Sequence, residues 1–247
     1  MIEFINVHKS FGDRVILRDV SLTVDEGEVL FVIGKSGAGK SVLMKHVVGL
    51  IQPDEGAVLY DGQNVADWSE SQFYALRRTC TMVLQHSTLL DSMSILDNVA
   101  LPIRKHRNLS QTAARRQAAQ HLESVGMLDY ETAMPDALGD GLRKRVAIAR
   151  ALALEPRCMI FDEPTTGLDP ASAIQVDRLI RNLADHFGVT CIVVSHDLRS
   201  IFSVADRVVM LYQGRILLDG APHVFSESSE PIVRQFIRGM PDGPMEL

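Results

Sequence analysis

Three absences in this 247-residue chain each close off a class of function. No long run of lysine or arginine occurs, and the formal net charge is −6. Binding a phosphate backbone needs a basic footprint, so nucleic acid is excluded as the main partner. The mild acidity reads as solubility. Cysteine is scarce: Cys80, Cys158 and Cys191 sit far apart in apolar, strand-like runs, with no Cys-x-x-Cys and no Cys/His cluster at ligand spacing. This is the pattern of buried, reduced thiols in a cytosolic protein rather than of a disulfide framework. No apolar run approaches the length that spans a bilayer. No leader pattern precedes the strand-like opening MIEFINVHKSFG, so a membrane role is expected to run through a partner. Internal repeats and low-complexity segments are also missing.

What is present is an ordinary globular composition, 46% hydrophobic and 23% charged, long enough for one large α/β domain or a core with a subdomain. Residues 2–7 alternate as a half-buried strand does. VILRDVSLTVDEGEVLFVIG supplies two strands around the turn at Asp25-Glu26-Gly27. A helical pattern runs from Lys40 to Val48, QPDEGAVLYDG reads as a turn and a strand, and CTMVLQ as a short buried strand. From about Ser92 to Leu154 the pattern is almost wholly helical, with segments near 113–125 and 143–154. Strand patterns then return in RCMIFDE, VTCIVVSHD, DRVVMLYQG and RILLDG, with a helix at 172–187. The order predicts an α/β core interrupted by a helical insertion.

The chemistry begins at GKSGAGKS, residues Gly34, Lys35, Ser36, Gly37, Ala38, Gly39, Lys40 and Ser41, followed by Val42. The motif follows an apolar strand and precedes a helix, the context a phosphate-binding P-loop requires. Glycines let successive backbone N–H groups turn inward, and the helix N-terminus adds partial positive charge. Lys40 is placed to reach the β- and γ-phosphates and Ser41 to ligate Mg²⁺. CMIFDE then ends a buried strand on Asp162, suited to hold Mg²⁺, with Glu163 placed to polarise an attacking water. Alone, that motif would read as a strand ending in solvated acids.

With these two motifs the chain resembles the nucleotide-binding subunit of ABC transporters, from residue 2 to about residue 220. The resemblance implies an α/β P-loop NTPase core with an antiparallel β subdomain, a helical subdomain at approximately 86–155 and an extension over 221–247. It implies that Phe11 stacks on adenine and that ATP and Mg²⁺ are the cofactors. It implies that Gln85, after TMVL, senses Mg²⁺ and the γ-phosphate and links to the membrane partner. Asp169, in TTGLDP, then touches the opposite subunit, and His196, after CIVVS, contacts the γ-phosphate. His196 and Ser195 do not make a nucleophile pair, because strand neighbours point oppositely. No Asn-Lys-x-Asp guanine reader occurs, so a GTPase reading fails.

One stretch departs from the family pattern. The segment before the RVAIARAL helix is usually Leu-Ser-Gly-Gly-Gln and closes over the nucleotide held by the other subunit. Here Gly139 replaces the serine, Asp140 the first glycine and Leu142 the glutamine, while Gly141 keeps the second glycine. A carboxylate facing a triphosphate at ~5 Å and an effective dielectric of ~20 is repelled by about 3 kcal/mol. Alternatively, or in addition, Asp140 caps the helix that follows. Weakened ATP-driven dimer closure is the expectation.

Several phrases, among them MVLQHSTLLDSMSILDNVALPIR and VRQFIRGMPDGP, look like the MlaF-like branch, which serves bacterial phospholipid transport of the MCE type. That resemblance implies a second ATPase subunit in a homodimer, an MlaE-like permease, a STAS-domain regulator and an MCE-domain lipid carrier. It places the chain on the cytoplasmic face of the inner membrane. Alternatives are a hydrolysis-impaired module that completes or regulates a transporter dimer, and the ATPase of a small-molecule importer. A non-transport ABC ATPase is disfavoured, since neither a coiled-coil insertion nor a tandem cassette is present. In the tail, Ile232, Val233, Phe236 and Ile237 fall at helical spacing, and contact with the other subunit is favoured over packing on the chain's own domain.

Overall fold

The structure, a computed structural model, describes residues 1–245. The last two residues of the 221–247 extension lie outside the described residues. The chain opens on an antiparallel hairpin, β1 (Ile2–Phe11) and β2 (Arg14–Val24), whose tip sets Phe11 opposite Arg14. Strand β3 (Val29–Ile33) is buried at every residue and leads through a glycine loop into α1 (Lys40–Val47). Strands β4 (Glu55–Tyr60) and β5 (Gln63–Asn64) complete an antiparallel sheet in the order β2-β1-β4-β5.

Helix α2 (Glu70–Thr79) is missing from the sequence reading, although its start carries a signal. Ser69 and Gln72 form a reciprocal capping box there. Strand β6 (Cys80–Val83) follows, then α3 (Ile95–Arg107) and α4 (Gln111–Ser124), capped by Ser94 and Ser110. Two short 3₁₀ turns lead into α5 (Asp140–Leu152), which starts three residues earlier than its apolar pattern indicates. The rest alternates: β7 (Cys158–Asp162), α6 (Pro170–Phe187), β8 (Thr190–Val194), α7 (Leu198–Val204), then the hairpin β9 (Arg207–Tyr212) and β10 (Arg215–Gly220). Helices α8 (Pro222–Ser226) and α9 (Pro231–Arg238) close the described chain.

The second sheet runs β10-β9-β3-β8-β7-β6, parallel except at the β10 edge. A parallel sheet covered on both faces explains why VLFVI, CMIF and TCIVV read as continuous apolar runs. One core, with Phe4, Leu22, Val32, Leu43 and Met44, joins the antiparallel sheet to one face of the parallel one. A second, with Phe31, Phe161, Ile180 and Met210, fills the other face. A third lies among α3, α4 and α5, with Ile95, Val99, Ile103, Leu122 and Val146.

The tail corrects an expectation. Val233 is fully buried in the second core, and Ile232, Phe236 and Ile237 pack against the same cluster. Gln235 locks this arrangement, accepting from the Met245 N–H at 2.7 Å and donating to its carbonyl at 3.3 Å. The apolar face of α9 is therefore spent on its own domain, because that surface of the sheet needs cover. All three cysteines are buried free thiols. Cys80 and Cys158 stand in register on β6 and β7; their mutual contact and burial push the Cys158 thiol well up, and burial pushes Cys191 up to about 12.

Candidate nucleotide site

The C-terminal ends of the parallel strands converge on one edge, the place where α/β sheets bind ligands. Strand β3 delivers the glycine loop there. Gly34 has φ +142°, and a Cβ on it would lie 2.2 Å from the Leu211 carbonyl oxygen of β9, so only glycine fits. Gly39 is the N-cap of α1 and offers no side-chain cap, and the first turn carries no acidic residue. The unfilled N–H groups of that turn form a cradle for an anion. Lys40 is buried beneath the loop and donates to the Gly34 carbonyl at 2.8 Å and the Lys35 carbonyl at 3.1 Å. Burial pushes its ammonium below the usual lysine range, while the charges of Glu163 and Asp162 pull it back.

The Ser41 hydroxyl donates to Asp162 Oδ1 at 2.8 Å, closing a gap of 121 residues in sequence. A hydroxyl beside a carboxylate is a hard-oxygen set of the kind Mg²⁺ takes. Among the described residues no cluster of three or more His, Cys, Asp or Glu is placed to hold a metal, so such an ion would depend on substrate phosphates as well.

Glu163 follows at φ +52°, its N–H donating to the Val194 carbonyl at 2.9 Å. Its Oε2 accepts from Thr166 Oγ1 at 2.8 Å and lies 2.8 Å from His196 Nδ1. Glu163 is sheltered, 15% exposed, whereas His196 is 59% exposed at the surface of the site. Lys40, Ser41, Asp162, Glu163 and His196 are thus gathered at one edge. Ser195 turns its hydroxyl to accept from the Asp197 N–H and makes no pair with His196.

Other candidates stand apart. The Phe11 ring is half exposed, with the Lys9 ammonium 5.6 Å from its centroid and Lys9 tied to Asp54 at 2.6 Å. Gln85 is exposed, and among the described residues its side chain makes no hydrogen bond to Ser41 or Asp162. Its backbone is held instead. Lys144, only 2% exposed, donates to the Leu84 and Gln85 carbonyls at 3.0 and 2.5 Å, and Arg150 donates to the Thr88 carbonyl at 3.0 Å. These two cations of α5 were legible only as a basic helix; nothing in the sequence says that they grip the loop at 84–88. Asp169 is the N-cap of α6 and accepts from the Ala171 and Ser172 N–H groups and the Ser172 hydroxyl; the Ser172 bonds hold its carboxyl below the usual range.

The segment at 139–142 corrects a second expectation. Gly139, not Asp140, is the N-cap of α5, so Asp140 does not cap the helix. It is the first helical residue and pairs with Arg143 at 2.6 Å, the Asp140 side chain being 72% exposed. The reason is geometric: an aspartate within the first turn projects away from the N–H groups it would have to cap. Gly141 is seated against α6, where an added Cβ would lie 2.6 Å from the Ser172 hydroxyl, while Gly139 faces open space. Leu142 packs against the third core. A cleft of about 460 Å³ joins Gln85, Asp140, Arg143, Lys144, Thr166 and Gly167.

Comparison with known proteins settles the class. The sequence pattern of the family described as ABC transporter matches residues 17–166, more than half of the chain. The chain belongs to the ABC transporter ATPases. As a cassette it is 37% identical over 245 residues to the intermembrane phospholipid transport system ATP-binding protein MlaF of Escherichia coli K12, covering 99% of this chain and 91% of that protein. It is 36% identical over 247 residues to MlaF of Haemophilus influenzae, covering 100% and 94%. Among solved structures it resembles a dimeric ATP-binding cassette in a post-hydrolysis state bound to ADP and Pi, with a TM-score of 0.82, 31% identity, and coverage of 90% of this chain and 99% of that one. The α/β P-loop fold expected from the sequence is the fold observed.

Proposed function

We infer that this ATPase binds Mg²⁺-ATP over Gly34–Val42 and couples its hydrolysis to phospholipid transport between membranes. The observation that carries the catalytic half is the meeting of Ser41 with Asp162 beside the paired Glu163 and His196. The loop N–H groups and Lys40 bind the β- and γ-phosphates, and Phe11 supplies a flat apolar face for adenine. Ser41, Asp162 and Gln85 would hold Mg²⁺, which when bound offsets charge on the β- and γ-phosphates. Glu163 orients a water on the γ-phosphorus and takes its proton as the new P–O bond forms and the bond to the β-phosphate oxygen breaks. His196 and Thr166 fix the Glu163 carboxylate so that it costs no reorganisation at that moment.

Identity to the two MlaF proteins along nearly their whole length supports the phospholipid assignment. The working unit is a dimer, with Gly139–Leu142 and Asp169 of each subunit turned to the other's nucleotide. Hydrolysis is slowed by Asp140. The residues 1–220 act as one ATPase domain, with 86–155 as its helical subdomain. An apolar groove of about 490 Å³, lined by Leu50, Tyr74, Leu84, Leu101 and Leu154, lies between the core and α3 and suits a helix of an MlaE-like permease. Through that contact the cassette sits on the cytoplasmic face of the inner membrane; a STAS-domain regulator and an MCE-domain carrier complete the system. A second reading, a cassette that binds but barely hydrolyses ATP, rests on Asp140 alone. Glu163→Gln is expected to leave ATP binding intact and nearly abolish turnover. Brisk hydrolysis in that variant sinks the catalytic assignment, and copurification from solubilised membranes with no permease and no lipid sinks the transport one.

A further inference from the structure

The hairpin that carries Phe11 also carries a cation that the assigned site leaves unused. Arg14 faces Phe11 across the β1–β2 tip as its directly paired residue. Directly opposed residues on antiparallel strands hold their Cβ atoms within ~5 Å of one another. The Arg14 side chain reaches from there to the glycine loop: a Cβ built on Gly37 would lie 3.6 Å from Arg14 Nη2. Among the described residues the Arg14 side chain has no hydrogen-bond or ion-pair partner, and it is exposed. It borders a recess of about 410 Å³ shared with Arg18, Gly37, Ala38, Gln213 and Gly214. Lys40 lies buried beneath the loop against the Gly34 and Lys35 carbonyls, while Arg14 is exposed beside Gly37.

We propose that Arg14 is a phosphate-contacting residue of this cassette, reaching the β- and γ-phosphates of ATP from beside Gly37, separately from Lys40. A guanidinium presents a planar fork that matches phosphate oxygens, and leaving it without a carboxylate partner keeps it free for that contact. Because Arg14 and Phe11 share one hairpin tip, the base and the far phosphates are gripped by a single rigid element. The hairpin thus measures the length of the nucleotide: a nucleoside triphosphate or diphosphate spans both residues, and a monophosphate reaches only the first. The inference rests on the reading that ATP occupies Gly34–Ser41.

The test is equilibrium binding of a fluorescent ATP analogue with Mg²⁺ to the full chain, with competition by ATP, ADP and AMP. Arg14→Ala is expected to weaken ATP and ADP by about tenfold to a hundredfold, to leave AMP within about twofold, and to make ATP affinity less sensitive to salt. Arg14→Lys, which keeps the charge but not the fork, recovers part of the loss. Phe11→Ala weakens all three nucleotides by a common factor. Equal loss of ATP and AMP in Arg14→Ala, or no loss of either, overturns the proposal while Lys40-dependent binding upholds the site itself. Binding unchanged in Lys40→Ala removes the site and the proposal together.

Discussion

Replacing Lys144 with methionine isolates the tie between α5 and the loop at 84–88. The side chain is 2% exposed, and its ammonium holds the Leu84 and Gln85 carbonyls at 3.0 and 2.5 Å. Methionine fills much the same volume but donates nothing. Leaving a buried acceptor without its charged donor costs about 1–3 kcal/mol, and these two carbonyls, only partly buried, fall toward the low end. Part of this is returned, because the folded protein no longer buries an ammonium, whose desolvation already pushes Lys144 below the usual lysine range. The net loss is about 2 kcal/mol, which for a chain of this size lowers Tm by about 4–8 °C. Arg150 still grips the far end of the loop through the Thr88 carbonyl at 3.0 Å, so only the Gln85 end is released. Turnover should therefore fall several-fold while ATP affinity, set at the glycine loop, stays near that of the wild type. Lys144→Gln, which keeps a donor without the charge, should lie between the two. Calorimetry and steady-state ATPase assays read both effects. A Tm within about 1 °C of wild type together with unchanged turnover refutes the tie.

Three further variants probe other parts of the molecule. Asp140→Asn removes the carboxylate at the mouth of α5. The bare repulsion of about 3 kcal/mol is cut by Arg143 and by solvent to about 1 kcal/mol, so ATPase should rise about fivefold, and an unchanged rate counts against the trans contact. His46 is 1% exposed, with Nδ1 on the Val42 carbonyl and Nε2 without a partner among the described residues, and burial pushes it below the usual histidine value. A base depressed in the folded state binds its proton more readily in the unfolded chain, so its contribution is intact above about pH 6.5 and declines as pH falls below it. His46→Leu should flatten the acid limb of stability by up to one proton, and urea titrations at pH 7 and 5.5 that show the same slope in both proteins would discount it. Gly34→Ala should abolish nucleotide binding and lower Tm, since its Cβ meets the Leu211 oxygen at 2.2 Å; normal titration with ATP would contradict that clash.

The strands of the parallel sheet were legible because burial on both faces leaves no polar alternation to confuse them. The glycine loop and the Asp162–Glu163 pair were legible because their chemistry fixes residue type and spacing. Helix α2 is faint in the sequence because its apolar stripe is thin, with Phe73 and Leu76 its buried residues, although the Ser69–Gln72 capping box marks its start. The grip of Lys144 and Arg150 on the loop at 84–88 joins residues about 60 apart, and only the packing of α5 on β6 brings them together. The tail shows the opposite limit: its periodicity was plain, but periodicity says that a face is covered and not by what.

The seating of Gly141 divides its segment into positions that admit a side chain and one that does not. At 139 the backbone is ordinary and the space open, and the largely exposed Asp140 side chain is tied only to Arg143 of its own helix, so exchange there disturbs no other element among the described residues. At 141 any side chain would strike the Ser172 hydroxyl, which is itself bonded to Asp169 at the start of the next helix. A change at that single position would be felt in two loops at once. The contact ties the mouth of α5 to the N-cap of α6, so the two helix starts are held in one fixed relation by the want of a single methyl group.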